Sequence, residues 1–372
     1  MTRILNRLTV VAFLLTLSYV TTAAQDAKPV KLGIARMTHD HIAFILDRLK
    51  RNNTDLQLAG IWEPDNNLVD RYSKKYGLDQ KLFYDDLGQM LDKVKPEAVV
   101  DFGSIYEHLK VVEACAPRGI HVMVEKPLAV DMDHAMKMKR LAEKYSIKLL
   151  TDFETSWYPS TLKAWQIVND SNSLGLLRKV VVHDGHEGPK EIGCSREFLA
   201  WLTDPVLNGG GAIIDFGCYG ANLMTYLTRG EEPVSVTAVT RHYKPSVYPK
   251  VDDDAAVIVT YKNSECIIEA SWNWPFGRKD MEIYGDKGYI MADNRNDMRS
   301  RYHGAVADSR DKVTAKDVSV YEDPFSYFVD VIRGKVKPAA YEPYSIENNL
   351  LVVKILDAAR KSARTGKMVH LK

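Results

Sequence analysis

The sequence predicts an α/β protein with two domains, a doubly wound parallel sheet followed by an α+β domain built on an open, mainly antiparallel sheet. Two observations carry this prediction. Short apolar runs alternate with helical patterns up to residue 151, which is typical of parallel βαβ units. Beyond residue 152, β-rich runs follow one another with few helices between them, which favours antiparallel pairing. A length of 372 residues suits two domains of this kind.

The first half contains five strand patterns, at Val30–Ala35, Leu56–Trp62, Ala98–Phe102, His121–Val124 and Lys148–Leu150. A helix is predicted after Asp131, whose side chain is a suitable N-cap, because apolar residues recur there at helical spacing. Strands that alternate with helices indicate right-handed crossovers within one sheet. Residues 28–151 are therefore predicted to form a doubly wound domain of the Rossmann type.

The second half contains five more β-rich runs, at Lys179–His183, Val234–Tyr243, Ala256–Tyr261, Glu265–Trp272 and Met281–Tyr284. Helices are predicted directly after Asp215 and from Ser345 to Ala363. The polar segment Asp293–Lys316 is weakly patterned and is expected to be a surface excursion. Residues 152–372 are therefore predicted to form the α+β domain.

Composition excludes some classes of protein. Apolar residues make up 45% of the chain, enough for a large packed core. With 50 basic against 49 acidic residues the net charge is +1, which argues against a nucleic-acid partner. The four cysteines, Cys115, Cys194, Cys218 and Cys266, show neither a CxxC motif nor zinc-site spacing. Three of them lie in apolar or regular stretches, so buried free thiols are favoured over disulfides.

The N-terminus has the pattern of a secretory signal. Met1–Arg7 is basic, Leu8–Val20 is apolar, and Thr21–Ala24 consists of small residues. The apolar run is shorter than the roughly 20 residues that cross a bilayer, so an uncleaved anchor is the less favoured alternative. We predict cleavage of a Sec-type signal at about residues 1–24, no membrane span afterwards, and a periplasmic or secreted protein.

A dinucleotide-binding loop is expected directly after the first strand, where the usual pattern is G-x-G-x-x-G. Only the first glycine of that pattern is present, and the second and third are replaced. Thr38 stands at the third glycine position, and its hydroxyl is a candidate cap for a helix beginning near Asp40. The residues predicted to contact a cofactor here are Gly33, Ala35, Arg36, Met37 and Thr38.

Glu63 ends the second strand, where an acid can hold the ribose hydroxyls of a dinucleotide. A carboxylate there repels a 2′-phosphate, so NAD is favoured over NADP. The alternative is an ordinary solvated loop acid.

A catalytic group can be assembled from two segments. Lys126 follows a buried strand and precedes Pro127, which biases its backbone away from helical geometry. Asp215 and Tyr219 are four residues apart after a run of three glycines, and so share a helix face. A lysine ammonium beside the phenol would lower its pKa, so Lys126, Asp215 and Tyr219 could remove a proton from a carbinol. The alternative is an N-cap aspartate and a core tyrosine.

The motif Glu125-Lys126-Pro127, followed by Gly209-Gly210-Gly211-x-x-x-Asp215-x-x-x-Tyr219, resembles the Gfo/Idh/MocA oxidoreductase family. Tyr219, where many members carry histidine, resembles the glucose–fructose oxidoreductase-like branch. The resemblance covers nearly all of Lys31–Lys372. It implies bound NAD(P), a sugar or polyol substrate, and a homo-oligomer formed through the C-terminal sheet. It assigns catalysis to Lys126 and Asp215, and cofactor contacts to Ser104, His108, Glu125 and Lys126.

The sequence departs from the family after the last strand of the first domain, Lys148–Leu150, because the usual arginine is missing from residues 153–159. Aromatic residues there and later in the chain are candidates for stacking on a sugar, or for ordinary packing. These residues are Trp157, Tyr158, Trp272 and Trp274. His183 and His186 are expected to bind sugar hydroxyls, and a metal site at that pair is the less favoured alternative, so no metal is predicted.

Three functions remain open. The first is an NAD(P)-dependent oxidoreductase that acts on a sugar or a sugar-derived carbinol. The second is a redox-neutral enzyme that cleaves or epimerises glycosides with a tightly held NAD, which suits an exported protein. The third is a non-catalytic sugar-binding protein that has lost its cofactor.

Overall fold

The structure is a computed structural model that describes residues 28–51, 54–171 and 173–371. The predicted signal at residues 1–24 lies outside these residues. No helix among the described residues is long and apolar enough to cross a membrane.

The first sheet is parallel throughout and has the strand order β3-β2-β1-β4-β5-β6. Its strands are β1 Val30–Ala35, β2 Leu56–Trp62, β3 Phe83–Tyr84, β4 Ala98–Asp101, β5 His121–Glu125 and β6 Leu149–Asp152. The five predicted strands are confirmed. The two-residue β3 was missed because it is too short to show a pattern. Strand order reverses between β1 and β4, and ligands of such sheets bind at the carboxyl ends there.

Helices cover both faces of this sheet. They are α1 Ile42–Lys50, α2 Asn66–Tyr76, α3 Leu87–Val94, α4 His108–Cys115 and α5 Met132–Tyr145. The predicted cap of α5 is confirmed, since the Asp131 side chain accepts a hydrogen bond from the His134 amide at 2.8 Å. Apolar side chains of α1 form one core with the sheet, and those of α3, α4 and α5 form another.

The second sheet is mixed and mainly antiparallel, as predicted, with the order β14-β13-β12-β11-β7-β10-β9-β8-β15. Among the described strands of this second sheet, only β7 and β10 pair in parallel. The strands are β7 Leu177–Gly185, β8 Ser235–Arg241, β9 Asp254–Thr260, β10 Glu265–Ser271, β11 Arg278–Gly285, β12 Gly288–Ala292, β13 Asp297–Tyr302, β14 Ser309–Lys312 and β15 Val369–His370.

The prediction of a surface excursion at Asp293–Lys316 was wrong. This segment contains β13 and β14, which extend the sheet to its outer edge. All four residues of β14 are exposed, so the strand carries no alternation of apolar and polar residues by which it could be recognised.

The remaining helices are α6 Pro159–Asn169, α7 Arg196–Leu202, α8 Ala212–Asp215, α9 Gly217–Leu227, α10 Pro324–Ile332 and α11 Ile346–Thr365. Two of them join the halves of the molecule. Phe325 and Phe328 of α10 pack into the core of the first sheet, although they follow the second sheet in sequence. In α11, Val353 packs with the first domain while its neighbour Val352 packs with the second.

Candidate active site

Lys126 and Asp215 form a buried ion pair where the two domains meet. Lys126 directly follows β5, and its Nζ donates to Asp215 Oδ1 at 2.5 Å and to the Asp215 carbonyl at 2.9 Å. Trp272 Nε1 donates to the other carboxylate oxygen of Asp215 at 2.9 Å. The structure thus brings together two of the predicted catalytic residues, and Trp272 supports the carboxylate of one of them.

The glycine run allows the backbone before Asp215 to pass very close to another segment. A Cβ on Gly211 would lie 1.8 Å from the carbonyl oxygen of Asp252, so only glycine fits. The Asp252 carboxylate also accepts from the amides of Gly211 at 2.9 Å and Ile213 at 2.8 Å. These contacts fix the start of α8, and therefore the position of Asp215 at its end.

The charges of the pair support each other. Burial disfavours the charged form of Lys126, but the Asp215 carboxylate outweighs it, and the pKa of Lys126 rises above its usual range. Burial likewise opposes ionisation of Asp215, yet the ammonium of Lys126 lowers the pKa of that carboxyl. Both groups are therefore charged at neutral pH.

Tyr219 lies beside the pair, and its ring centroid is 5.2 Å from Lys126 Nζ. The prediction of a lowered phenol pKa was wrong: burial, followed by the Glu154 charge, raises the pKa of Tyr219 well above its usual range. The ammonium of Lys126 is directed to Asp215 rather than to the hydroxyl. No group among the described residues hydrogen-bonds to the Tyr219 hydroxyl, which leaves it for a ligand.

These residues line a cavity of about 730 Å³ between the two sheets. Glu154, Tyr158 and Lys279 line the same cavity. Lys279 forms an ion pair with Glu154, Tyr158 donates its hydroxyl to the same carboxylate, and Lys279 Nζ lies 4.9 Å from the Tyr219 ring centroid. Glu154 and Lys279 were missed because, in sequence, each is an isolated charge without a motif.

The predicted substrate residues separate into two groups. His186 and Tyr219 line the cavity. His183 does not: its Nδ1 is 3.0 Å from Asp280 Oδ2, and its Nε2 is 3.6 Å from Glu269. Trp157 is buried beside a neighbouring cavity and donates to Asp152 at 2.7 Å.

The predicted cofactor loop lies at the carboxyl ends of β1, β2 and β4. Glu63 is buried there, and it accepts hydrogen bonds from the Met37 amide and the Arg36 guanidinium, both at 2.8 Å. The predicted cap was wrong: Thr38 donates its hydroxyl to the Phe102 carbonyl at 3.3 Å, and α1 begins after His41 without a side-chain cap. Gly33 and Ala35 belong to β1 itself.

Ser104 and His108 follow β4. The Ser104 hydroxyl donates to Glu107 at 3.0 Å. His108 Nδ1 donates to the Leu128 carbonyl at 3.1 Å, and burial lowers the pKa of this imidazole to about 4. Its Nε2 is therefore a lone-pair acceptor, buried and without a partner among the described residues.

These residues fit a dinucleotide. Glu63 and Arg36 would hold the adenosine ribose, the loop the pyrophosphate, and the lone pair of His108 Nε2 suits an amide donor such as the nicotinamide carboxamide. The loop differs from the usual one in that the Thr38 and His39 amides already donate to the Phe102 carbonyl, at 3.2 and 2.9 Å.

His39, His41 and Glu125 form a cluster that was not predicted from the sequence, and their ligand-type atoms lie within 4.8 Å of one another. Within the described residues this is the group that could hold a metal ion, not His183 with His186. His41 Nδ1 donates to Glu125 at 3.0 Å. Burial opposes a charge on His41, but the Glu125 carboxylate outweighs it and raises the pKa. Burial lowers the pKa of His39 well below its usual range.

The fold and the site define a class, the two-domain oxidoreductases with a Rossmann domain. Two family models match the chain: "Oxidoreductase family, NAD-binding Rossmann fold" over residues 30–153, and "GFO/IDH/MocA C-terminal domain" over residues 162–291. Together they cover more than half of its length. The chain belongs to the Gfo/Idh/MocA family, as its motifs predicted.

Similar proteins include trans-1,2-dihydrobenzene-1,2-diol dehydrogenase of Xenopus laevis, 27% identical over 194 residues. That alignment covers 52% of this chain and 54% of the relative, so the chain spans about half of that protein's length. D-glucoside 3-dehydrogenase of Escherichia coli (strain K12) is 22% identical over 341 residues, covering 85% and 91%.

Among solved structures, an inositol dehydrogenase homologue complexed with NAD+ from Azotobacter vinelandii superposes with a TM-score of 0.78. Its identity is 16%, and the superposition covers 93% of this chain and 98% of that one. This likeness shows the shared two-domain fold.

Proposed function

We propose that this protein is an NAD-dependent oxidoreductase that oxidises a carbinol of a sugar or a sugar derivative. The observation that carries the proposal is the Tyr219 hydroxyl, which is unpartnered among the described residues and lies in a cavity beside the Lys126–Asp215 pair. Named relatives include a D-glucoside dehydrogenase, which supports a substrate of this class. When bound, the nicotinamide ring supplies the acceptor for the electrons of the carbinol.

The residues of this chain supply orientation and proton transfer. Tyr219 hydrogen-bonds to the reacting hydroxyl and, in its deprotonated form, takes the proton of that hydroxyl, and the ammonium of Lys126 stabilises the negative charge that develops on oxygen. Asp215 holds Lys126 in place and keeps it charged. His186 lines the same cavity and offers an imidazole to other hydroxyls of the substrate.

The test is the formation of NADH from NAD in the presence of a panel of aldoses, polyols and glycosides. We expect activity with at least one of them and its loss in Tyr219→Phe. Sugar binding without any binding of NAD or NADP would overturn the proposal and would favour a non-catalytic sugar-binding protein.

A second candidate is redox-neutral cleavage or epimerisation of a glycoside with a retained cofactor. Such chemistry needs a second base for a ring C–H, and Glu154 is a carboxylate that lines the same cavity as Lys126. The Lys279 ammonium lowers the pKa of Glu154 against the effect of burial, so it is ionised at neutral pH. Release of the aglycone without net NADH, abolished in Glu154→Gln, would favour this candidate over the first.

We also propose export and self-association. Cleavage at about residue 24 would be seen as a mature N-terminus near Gln25 in the periplasmic or secreted fraction. The open face of the second sheet supports a homo-oligomer, because Val239 and Ile258 on neighbouring strands are 49% and 41% exposed. Light scattering would detect the oligomer and its dissociation in Val239→Glu.

A further inference from the structure

A second cavity of about 630 Å³ adjoins the first and shares His41, Glu154 and Arg295 with it. We infer that it is a second sugar subsite, which binds the unit glycosidically linked to the sugar that reacts at Tyr219. The inference rests on the proposed function. Each cavity is large enough for a small ligand of its own, so the two together exceed what one monosaccharide needs.

An exposed aromatic ring lines this second cavity. Phe44 on α1 lines it and is 61% exposed, and its ring centroid lies 5.0 Å from that of His41. The flat aromatic ring of a residue that lines a cavity matches the C–H face of a pyranose. Buried Trp157 and Phe325 complete the apolar part of the lining.

The polar groups around the cavity fit a neutral ligand with many hydroxyls. Arg51 and Arg295 offer donors, while Asp47 and Glu322 offer acceptors. Six carboxyl groups and three guanidiniums line the cavity, so its field disfavours an anion, while a neutral polyol finds both donors and acceptors there. Arg48, which also lines it, is held in ion pairs with Asp55 and Asp323.

The shared wall connects the second cavity to the catalytic residues. Glu154 is bound by Lys279 and Tyr158 on the side of Tyr219, and it also faces the second cavity. The guanidinium carbon of Arg295 lies 5.3 Å from the centroid of the Tyr158 ring. A disaccharide with one unit at Tyr219 would pass over this wall and place its other unit against Phe44.

The test compares glucose with its disaccharides maltose, cellobiose and laminaribiose as substrates. We expect wild-type kcat/KM to be higher for at least one disaccharide, and Phe44→Ala to reduce that preference about tenfold, the equivalent of one lost contact of about 1.4 kcal/mol. Phe44→Tyr, which keeps the aromatic face, should retain the preference. Tyr243→Ala is the matched control, because Tyr243 is 63% exposed and lies outside both cavities.

Saturation-transfer NMR of the same sugars gives a readout that does not depend on turnover. We expect transfer to both rings of the preferred disaccharide in the wild type and to the reacting ring alone in Phe44→Ala. Turnover of glucose with an unchanged disaccharide preference in Phe44→Ala would overturn the subsite and leave the proposed function standing. A third outcome is that no sugar yields NADH, while saturation is still transferred to the second ring and is lost in Phe44→Ala. That outcome would overturn the proposed function and leave the subsite standing. Absence of disaccharide binding to the wild type would overturn the subsite.

Discussion

Lys126 and Asp215, 89 residues apart in sequence, form a buried ion pair that links the first domain to the second at the active site. The pair therefore has two roles that can be separated by experiment. It stabilises the contact between the domains, and it holds a positive charge beside Tyr219.

Lys126→Met should reduce stability, because it leaves the Asp215 carboxylate buried without its counter-charge. We expect the free energy of unfolding, measured with urea, to fall by about 3–5 kcal/mol. Lys126→Met combined with Asp215→Asn should recover part of this loss but no activity. Lys335→Met is the control, since Lys335 forms an exposed pair with Asp330, worth about 0–1 kcal/mol. Equal losses in Lys126→Met and Lys335→Met would contradict a buried pair.

Tyr219→Phe should abolish catalysis without unfolding the protein. The hydroxyl has no hydrogen-bonding partner among the described residues, so we expect stability within about 1 kcal/mol of the wild type. Loss of the acid/base group should lower kcat by about 10²- to 10⁴-fold. The matched control is Tyr226→Phe on the same helix, whose ring stacks on Trp165 outside the cavity. A Tyr219→Phe enzyme with normal turnover would assign proton transfer to another group.

The rate of carbinol oxidation should increase with pH above neutrality. Burial raises the pKa of Tyr219, so its base form becomes more populated as the pH rises. A profile of log kcat/KM against pH measures this. A plateau that begins at neutral pH would show that something bound at the site lowers the pKa of Tyr219.

Asp152→Asn should remove a pH-dependent loss of stability. Burial, followed by the Glu125 charge, raises the pKa of Asp152 to about 7, so the folded state binds a proton there that the unfolded chain releases near pH 4. The contribution of Asp152 to the free energy of unfolding is therefore fully present below about pH 4. It is lost as the pH rises to 7, by up to about 4 kcal/mol. Urea unfolding at several pH values should show a flatter profile in Asp152→Asn.

Asp133→Asn provides the control for Asp152, because Asp133 belongs to an exposed pair with Lys137 on α5. We expect its profile to follow the wild type. If Asp152→Asn followed the wild type as well, Asp152 would titrate normally in the folded protein.

Glu63→Gln should shift the preference for coenzyme towards NADP. Glu63 is buried against the loop amide of Met37, where its charge opposes a 2′-phosphate. We expect the ratio of the Kd values for NADP and NAD to fall about tenfold, corresponding to about 1.4 kcal/mol. Asp70→Asn, at an exposed position on α2, should leave the ratio unchanged. An unchanged ratio in Glu63→Gln would place the ribose elsewhere.

Local patterns in the sequence were sufficient to predict the parallel sheet, the mixed sheet and the position of Lys126 after β5. They could not predict contacts that join distant segments. Glu154 meets Lys279 across 125 residues, and His41 meets Glu125 across 84, and neither pair has a spacing that marks it. The shift of the Tyr219 pKa was predicted in the wrong direction. The sequence shows that a lysine is available near the phenol, but it does not show the burial that outweighs the effect of that charge.

The central claim is that Tyr219 and Lys126 serve the oxidation of a sugar carbinol by a nicotinamide cofactor. Deuterium transfer tests it most directly, since it detects both net and redox-neutral chemistry. The protein is mixed with NAD and a sugar or glycoside deuterated at its ring carbons, the reaction is quenched in alkali within one turnover because NADH survives alkali but not acid, and the cofactor is analysed by mass spectrometry. We predict deuterium-labelled NADH with the wild type and none with Tyr219→Phe. A substrate that binds but leaves the cofactor unlabelled with the wild type would contradict the account.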